Sequence, residues 1–346
     1  MTNKNILFDL SHFKPSSGYG LMNSSIGLIQ REINKGNQVT LFLRDSMKDF
    51  FLTTLNEINL ISIKDNSYLF YLNRELLLIR NADKFSNYSC PIPRAPLGIF
   101  IYKIFFKITI KISIQDLQFL YKSSELQTPL LKLIVLNLWT RYSLFLADEV
   151  ETYSRFVKKL LYVYLGYKSN RVNNARKLDF QFNNFPEIDI KSFANKELKI
   201  FLPIESRNYK CSWFLEKIEK KNFMNTIFIV PNYISKDDED KMKRLSLEYN
   251  KVDIKTDTSF RETIGNCDFM ISPSLFEGFG FLPREFGALG TPSAVLNMHA
   301  YRDLPSRIFL KLSMKEFLEI DEKLIRNFLT NLVIDELISF SKNIYE

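Results

Sequence analysis

The order in which apolar runs and helical stripes alternate restricts the fold more than any other feature of this chain. Ile6-Leu7-Phe8-Asp9-Leu10 reads as a strand, Ser16-Ser17-Gly18-Tyr19-Gly20 as a flexible turn, Leu28, Ile29 and Ile33 as one face of a helix, and Val39 to Leu43 as a second strand. Strand, helix, strand is a βαβ unit, whose parallel strands bring strand ends and helix starts to one rim, the usual place for a binding crevice. The alternation restarts after a polar, Asn-rich stretch from Asn173 to Asn195 that contains Pro186. Beyond it, Lys199 to Leu202, Thr226 to Val230 and Asp268 to Ile271 read as strands, with helices over Trp213 to Glu219 and Asp238 to Leu247 between them. The expected architecture is α/β with two units in series, and 346 residues are enough for each to bury its own core.

Composition narrows the function classes. A chain that is 46% hydrophobic and 25% charged is globular rather than disordered or fibrous. Its 47 Lys+Arg against 39 Asp+Glu give a net charge of +8, but the cations are dispersed and no nucleic-acid motif accompanies them, so no nucleic-acid partner is expected. Cys90, Cys211 and Cys267 are too widely spaced for a disulfide framework or a Cys-x-x-Cys metal site, and the two histidines, His12 and His299, stand at opposite ends of the chain. No metal site and no resident cofactor are therefore expected. Met1 to Leu10 carries no secretion signal, which makes a cytoplasmic location the expectation. The most apolar stretch, Pro96 to Ile114, carries Lys103, Lys107 and Lys111, too many ammonium groups for a lipid-spanning helix. It reads as a helix followed by a strand from about residue 107, and the helix has two readings, an ordinary surface helix or one resting on an anionic membrane.

The most informative segment runs from Ser272 to Pro292, SPSLFEGFGFLPREFGALGTP. It follows the strand-like Phe269-Met270-Ile271, so Gly278 and Gly280 sit in a strand-to-helix loop, and Pro283 suits the first helical turn. The amides of Phe281 and Leu282 would then face the crevice, ready for a phosphate, with Glu285 placed in the same first turn. Without a wider context, Glu277 and Glu285 read as a surface acid and a helix-start acid, and Gly18 and Gly20 as turn formers. Ser154 is open between a helix cap and an acceptor-side hydroxyl. Asp237-Asp238-Glu239-Asp240 after Ser235 reads as a solvated helix start.

This segment resembles the donor-site signature of the family-4 retaining glycosyltransferases of the GT-B fold, approximately Ser-x-x-Glu-Gly-Phe-Gly, a Pro, Glu-Ala and Gly-Thr-Pro. Ala147 to Lys159, the loop through Gly18 and Gly20, and Asn297 to Pro305 are similar to further parts of that family. The resemblance implies two Rossmann-like domains facing each other across a cleft: an acceptor domain over residues 1–189, a nucleotide-sugar domain over 190–325, and a terminal helix, 326–346, packing on the first domain. It implies catalytic roles for Glu277 beside the transferred sugar and for Arg207 and Lys210 on the diphosphate. Glu285 would hold the ribose, while Phe281, Leu282, Gly280, Gly278, Gly18 and Gly20 would line the donor.

On the acceptor side, the resemblance points to Gln115 and Asp116; Gln115 stands where the family commonly has His. Asn81, which follows the apolar run Leu76 to Ile79, is a further rim candidate. The implied activity is metal-free, retaining transfer of a hexose from a nucleotide sugar to a glycan or lipid-linked saccharide in polysaccharide biosynthesis; the basic charge balance would suit a peripheral place at the inner, anionic membrane face. The Gln115 replacement keeps an alternative open, a non-catalytic GT-B-like partner subunit that supports an active transferase.

Overall fold

The computed structural model describes residues 4–14, 19–56, 58–65, 70–114, 117, 129–166, 172–174, 196–204, 210, 212–254, 257–278 and 280–332. They form two compact units, one holding the described residues up to 174 and the other those from 196 onward.

In the first unit, β1 (Asn5–Asp9), β2 (Gln38–Arg44), β3 (Ile58–Ile63), β4 (Asn87–Cys90), β5 (Thr109–Ile114), β6 (Glu149–Thr152) and β7 (Val172–Asn174) lie in the order 3-2-1-4-5-6-7. Every neighbouring pair is parallel. Central strands of such a sheet are covered on both faces and need continuous apolar runs rather than alternation; β1 meets this, with Ile6 to Asp9 all buried. One core cluster contains Tyr88, Ile110 and Ile112, and a second contains Phe8, Ile29 and Leu41.

Local sequence sets the element boundaries. The helix Ile99–Phe106 stops where Lys107 takes a left-handed φ of 51°, and β5 begins at Thr109, so the apolar stretch is a helix followed by a strand. Ser154 caps the helix Arg155–Leu165 by accepting the Val157 amide at 3.1 Å. The first helix begins earlier than its clearest stripe suggests. It spans Tyr19–Asn34 because Met22 extends the buried face of Leu28 and Ile29 back toward its start. Gly20 therefore lies in the first helical turn rather than in a loop, and Gly18 lies outside the described residues.

The second unit repeats the topology. β8 (Leu198–Phe201), β9 (Thr226–Pro231), β10 (Glu248–Val252), β11 (Phe269–Ser272), β12 (Ser293–Leu296) and β13 (Phe309–Leu312) are all parallel in the order 10-9-8-11-12-13. The helix expected over 213–219 is a short turn, Trp213–Leu215, pinned where the Trp213 Nε1 donates to the Pro273 carbonyl at 2.7 Å. The acidic run opens the helix Lys236–Arg244, with Ser235 accepting the Asp238 amide. A helix over 322–332 packs in this unit, with Ile325 and Leu329 in its core and the Phe328 ring 6.1 Å from Phe269. Residues 333–346, the rest of the expected terminal helix, lie outside the described residues.

Candidate functional site

In a doubly wound sheet the chain leaves two adjacent strands in opposite directions at one point, and a crevice opens beyond their carboxyl ends. In the second unit that point lies between β8 and β11, the paired strands from which the strand order runs outward in both directions. β8 leads through Leu202-Pro203-Ile204 toward Lys210, and β11 leads into the loop carrying Glu277 and Gly278. Across it, the Lys210 ammonium donates to Glu277 Oε1, and each side chain is 18% exposed. Two residues 67 positions apart thus meet at the rim, still within reach of water. Arg207, the other expected cation, lies outside the described residues.

The loop is built to hold Glu277 in place. Ser274, buried, donates its hydroxyl to the Phe276 carbonyl at 2.9 Å, and Phe276 is itself buried. Gly280 then adopts a left-handed φ of 72°, and an added Cβ there would stand 2.1 Å from Tyr301 Cε1. Both the backbone conformation and the close approach of the ring require glycine. Tyr301 is fully buried; burial, reinforced by the negative charge of Glu277, pushes its phenol far above the usual value.

The helix Phe281–Ala288 begins immediately after Gly280. The aligned dipoles of a helix make its start positive, and Phe281 and Leu282 are the first two residues there. Pro283 is the third helical residue, where its missing N–H leaves no intrahelical bond unmade. Glu285 is the fifth, so it lies beyond the first turn in which the sequence placed it; the helix starts two residues before Pro283 rather than at it.

The remainder of the signature serves packing. Phe286 is buried between Phe201 and Phe260, with ring centroids at 4.9 and 6.0 Å. Gly290, at φ 90°, turns the chain out of the helix, and Thr291 donates to the Ile264 carbonyl at 3.1 Å. Arg284 has a role that the sequence alone did not disclose. Buried on the same helix, it holds Asp303 through two bonds at 2.7 and 3.2 Å and the Ala300 carbonyl at 2.9 Å. It thereby fixes the turn His299–Tyr301, and with it the ring against Gly280. Burial raises Asp303, but the hydrogen bond and charge of Arg284 outweigh this and hold its carboxyl below the ordinary range.

The first unit has its equivalent point between β1 and β4, and there an ion pair is buried. The buried Asp9 carboxylate accepts from Arg74 Nη2 at 2.5 Å, Tyr88 Oη at 2.6 Å and Ser11 Oγ at 2.6 Å, and Arg74 is as buried as Asp9. Burial pushes Asp9 upward, yet Arg74 and these hydrogen bonds prevail and lower it. His12 sits 5.6 Å edge-on from Trp139, with Nε2 placed 3.1 Å from the Arg94 carbonyl. Burial and the Arg74 charge depress it to about 3, so it is a neutral imidazole. No local motif announces this cluster, because its members come from four separate segments.

Of the acceptor-side candidates, Gln115 and Asp116 lie outside the described residues, directly after β5. Asn81 does not follow a strand. The run Leu76 to Ile79 belongs to the helix Phe70–Asn81, whose end lies at the amino-end rim, where the chain turns back toward β4. There Asn81 donates to the Leu77 carbonyl of its own helix at 2.8 Å.

The doubled doubly wound topology is that of the GT-B fold. A structure of HepE from Anabaena in complex with UDP-glucose superposes with a TM-score of 0.69 at 13% identity, covering 97% of this chain and 91% of that one. Sucrose-phosphate synthase from Thermosynechococcus elongatus gives 0.65 at 12% identity and 99% coverage of both chains. A putative UDP-N-acetylglucosamine 2-epimerase from Listeria monocytogenes gives 0.61 at 12% identity, covering 95% of this chain and 91% of that one. No protein-family profile matches the sequence, and no curated protein matches it significantly.

Proposed function

We propose that this chain is a retaining glycosyltransferase that moves a hexose from a nucleotide-sugar donor to a hydroxyl of a glycan or lipid-linked saccharide. The observation that carries this reading is the Lys210–Glu277 pair at the carboxyl-end rim of β8 and β11, beside the glycine-led helix start at Phe281. The solved GT-B structures that hold UDP or UDP-glucose support the donor class.

The chemistry follows from charge. As the bond between sugar and diphosphate breaks, the leaving group gains negative charge, and fixed cations in a site of low polarity stabilise it most at that moment. Lys210 supplies one such cation and Arg207 the second; guanidinium can take two phosphate oxygens together, whereas ammonium acts as a point charge. The amides at Phe281 and Leu282 take further phosphate or sugar oxygens. Glu277, released from Lys210 as the diphosphate arrives, holds sugar hydroxyls and faces the positive charge developing at the anomeric carbon. Glu285 receives the ribose diol, since an ionised carboxylate can accept two hydrogen bonds. No resident cofactor or metal enters this proposal.

The replacement of the family His by Gln115 favours a second reading, a non-catalytic partner subunit. Thermal-shift measurements with UDP, GDP, ADP and CMP sugars at fixed salt, followed by donor-turnover assays with wild type and Glu277→Gln, decide between them. Selective stabilisation by one nucleotide class together with turnover lost in Glu277→Gln supports the transferase. Absence of nucleotide binding supports the partner subunit, and a 2-epimerised nucleotide sugar as product overturns both.

A further inference from the structure

The first unit leaves one layer of helices with an apolar outer surface. The connections β3 to β4, β4 to β5, β5 to β6 and β6 to β7 all advance across the sheet in the same direction. Right-handed crossovers therefore stack their helices, Phe70–Asn81, Ile99–Phe106, Leu130–Leu146 and Arg155–Leu165, on one face. Contacts bear this out: Lys103 Nζ donates to the Leu146 carbonyl at 2.7 Å, Leu97 N to Glu75 Oε1 at 2.9 Å, and Arg141 Nη2 to the Tyr164 carbonyl at 3.3 Å.

The outer side of this layer is apolar where a water-facing layer is polar. Leu133, Ser143 and Leu144 turn one side of their helix to the core, while Leu130, Ile134, Leu138 and Phe145 form a stripe on the opposite side, with Phe145 79% exposed. An exposed apolar stripe opposite the core side is unusual for a helix that faces water. On the neighbouring helix, Phe105 is 75% exposed and Phe100, Ile101 and Ile104 are exposed beside it. On the other face of the same sheet, Leu52 is the one large apolar group exposed among the described side chains of the helices Tyr19–Asn34 and Lys48–Thr54.

Charge identifies what covers this face. The helices Ile99–Phe106, Leu130–Leu146 and Arg155–Leu165 carry Lys103, which pairs with Asp148 at 2.6 Å, and Lys132, Arg141, Arg155, Lys158 and Lys159, but no Asp or Glu, in a chain that has 39 acidic residues. Two copies of the chain meeting through this face would set cation against cation. A bilayer rich in anionic phospholipid complements it on both counts, with headgroups for the ammonium and guanidinium groups and acyl boundary for the Phe and Leu side chains. Among the described residues no helix is long and apolar enough to cross a membrane, so the layer would lie in the interface plane.

We infer that the helical layer formed by Ile99–Phe106, Leu130–Leu146 and Arg155–Leu165 is a membrane-docking surface for anionic lipid. The inference is independent of the nucleotide-sugar reading, since it concerns a different surface and its test needs no donor.

The test is co-sedimentation of the full-length chain with phosphatidylcholine vesicles, with and without phosphatidylglycerol. The expected result is partition onto anionic vesicles that weakens with salt. Phe105→Ser and Leu131→Ser, both at exposed positions, each lower the partition coefficient roughly tenfold or more. Lys132→Gln and Lys159→Gln each lower it about fivefold, and circular dichroism of all four variants matches wild type. Three results overturn the inference: no partition onto anionic vesicles, partition unchanged by these variants, or a dimer that the Ser variants dissociate in lipid-free buffer.

Discussion

The two sheets reach the same topological point by the same strand order, yet they treat charge there in opposite ways. Between β1 and β4, Asp9 and Arg74 are both buried, and Arg74, Tyr88 and Ser11 donate to the carboxylate. Between β8 and β11, Lys210 and Glu277 neutralise each other at a partly open rim next to a helix start. Topology therefore supplies two equivalent points, and side-chain chemistry decides that the ion pair is buried at one and partly exposed at the other.

The largest effect is expected from Arg74→Met, which strands the Asp9 carboxylate in the core. A loss of about 3–5 kcal/mol in urea-unfolding stability follows, whereas Lys210→Gln at the open rim changes stability by less than about 1 kcal/mol. Equal losses would erase the contrast between the two points. The order reverses for chemistry, where Lys210→Gln lowers kcat for donor turnover about 10²–10³-fold by removing a cation from the leaving group. Gly280→Ala comes next, costing roughly 1–3 kcal/mol because its methyl must occupy the space of the Tyr301 ring at a strained backbone angle; thermal unfolding reads the loss.

The effect that is smallest at any single step concerns pH. His12 is neutral in the fold with its pKa depressed to about 3, below the ordinary 6.5 of the unfolded chain. Between those values the unfolded state binds the proton and the folded state does not, so stability falls as pH drops through that window. The slope is at most about 1.4 kcal/mol per pH unit. His12→Asn flattens it, as urea midpoints measured from pH 7 to 4 would register. Asp9, with its folded pKa lowered, adds a further loss only below its unfolded value near 3.8.

Much of this was legible in the order of residues. Strand runs such as Val39 to Leu43 and Thr226 to Val230 stand out because buried parallel strands have little choice but to be apolar. The loop around Gly278 and Gly280 was marked by glycines at a strand-to-helix junction, and the reason for one of them, the Tyr301 ring, became visible only in three dimensions. The Asp9–Arg74 pair was hidden because its partners are 65 positions apart and neither lies in a recognisable motif. Asn81 was named a rim candidate from the apolar run before it, and that run belongs to a helix, since four apolar residues do not by themselves distinguish helix from strand. Pro283 does lie in the first turn, as its third residue, but the helix opens at Phe281, which makes Glu285 the fifth residue and carries it past that turn.

The position of β1 and β8 at the middle of all-parallel sheets has a consequence for biosynthesis. β1 leaves the ribosome before β4, so its second edge stays open until Asn87–Cys90 emerges, and β8 waits in the same way for Phe269–Ser272. Parallel partners this far apart form late and slowly. Each half of the nascent protein therefore passes through an interval in which a sticky, unpaired strand border is exposed, the stage at which a chaperone would be of most use.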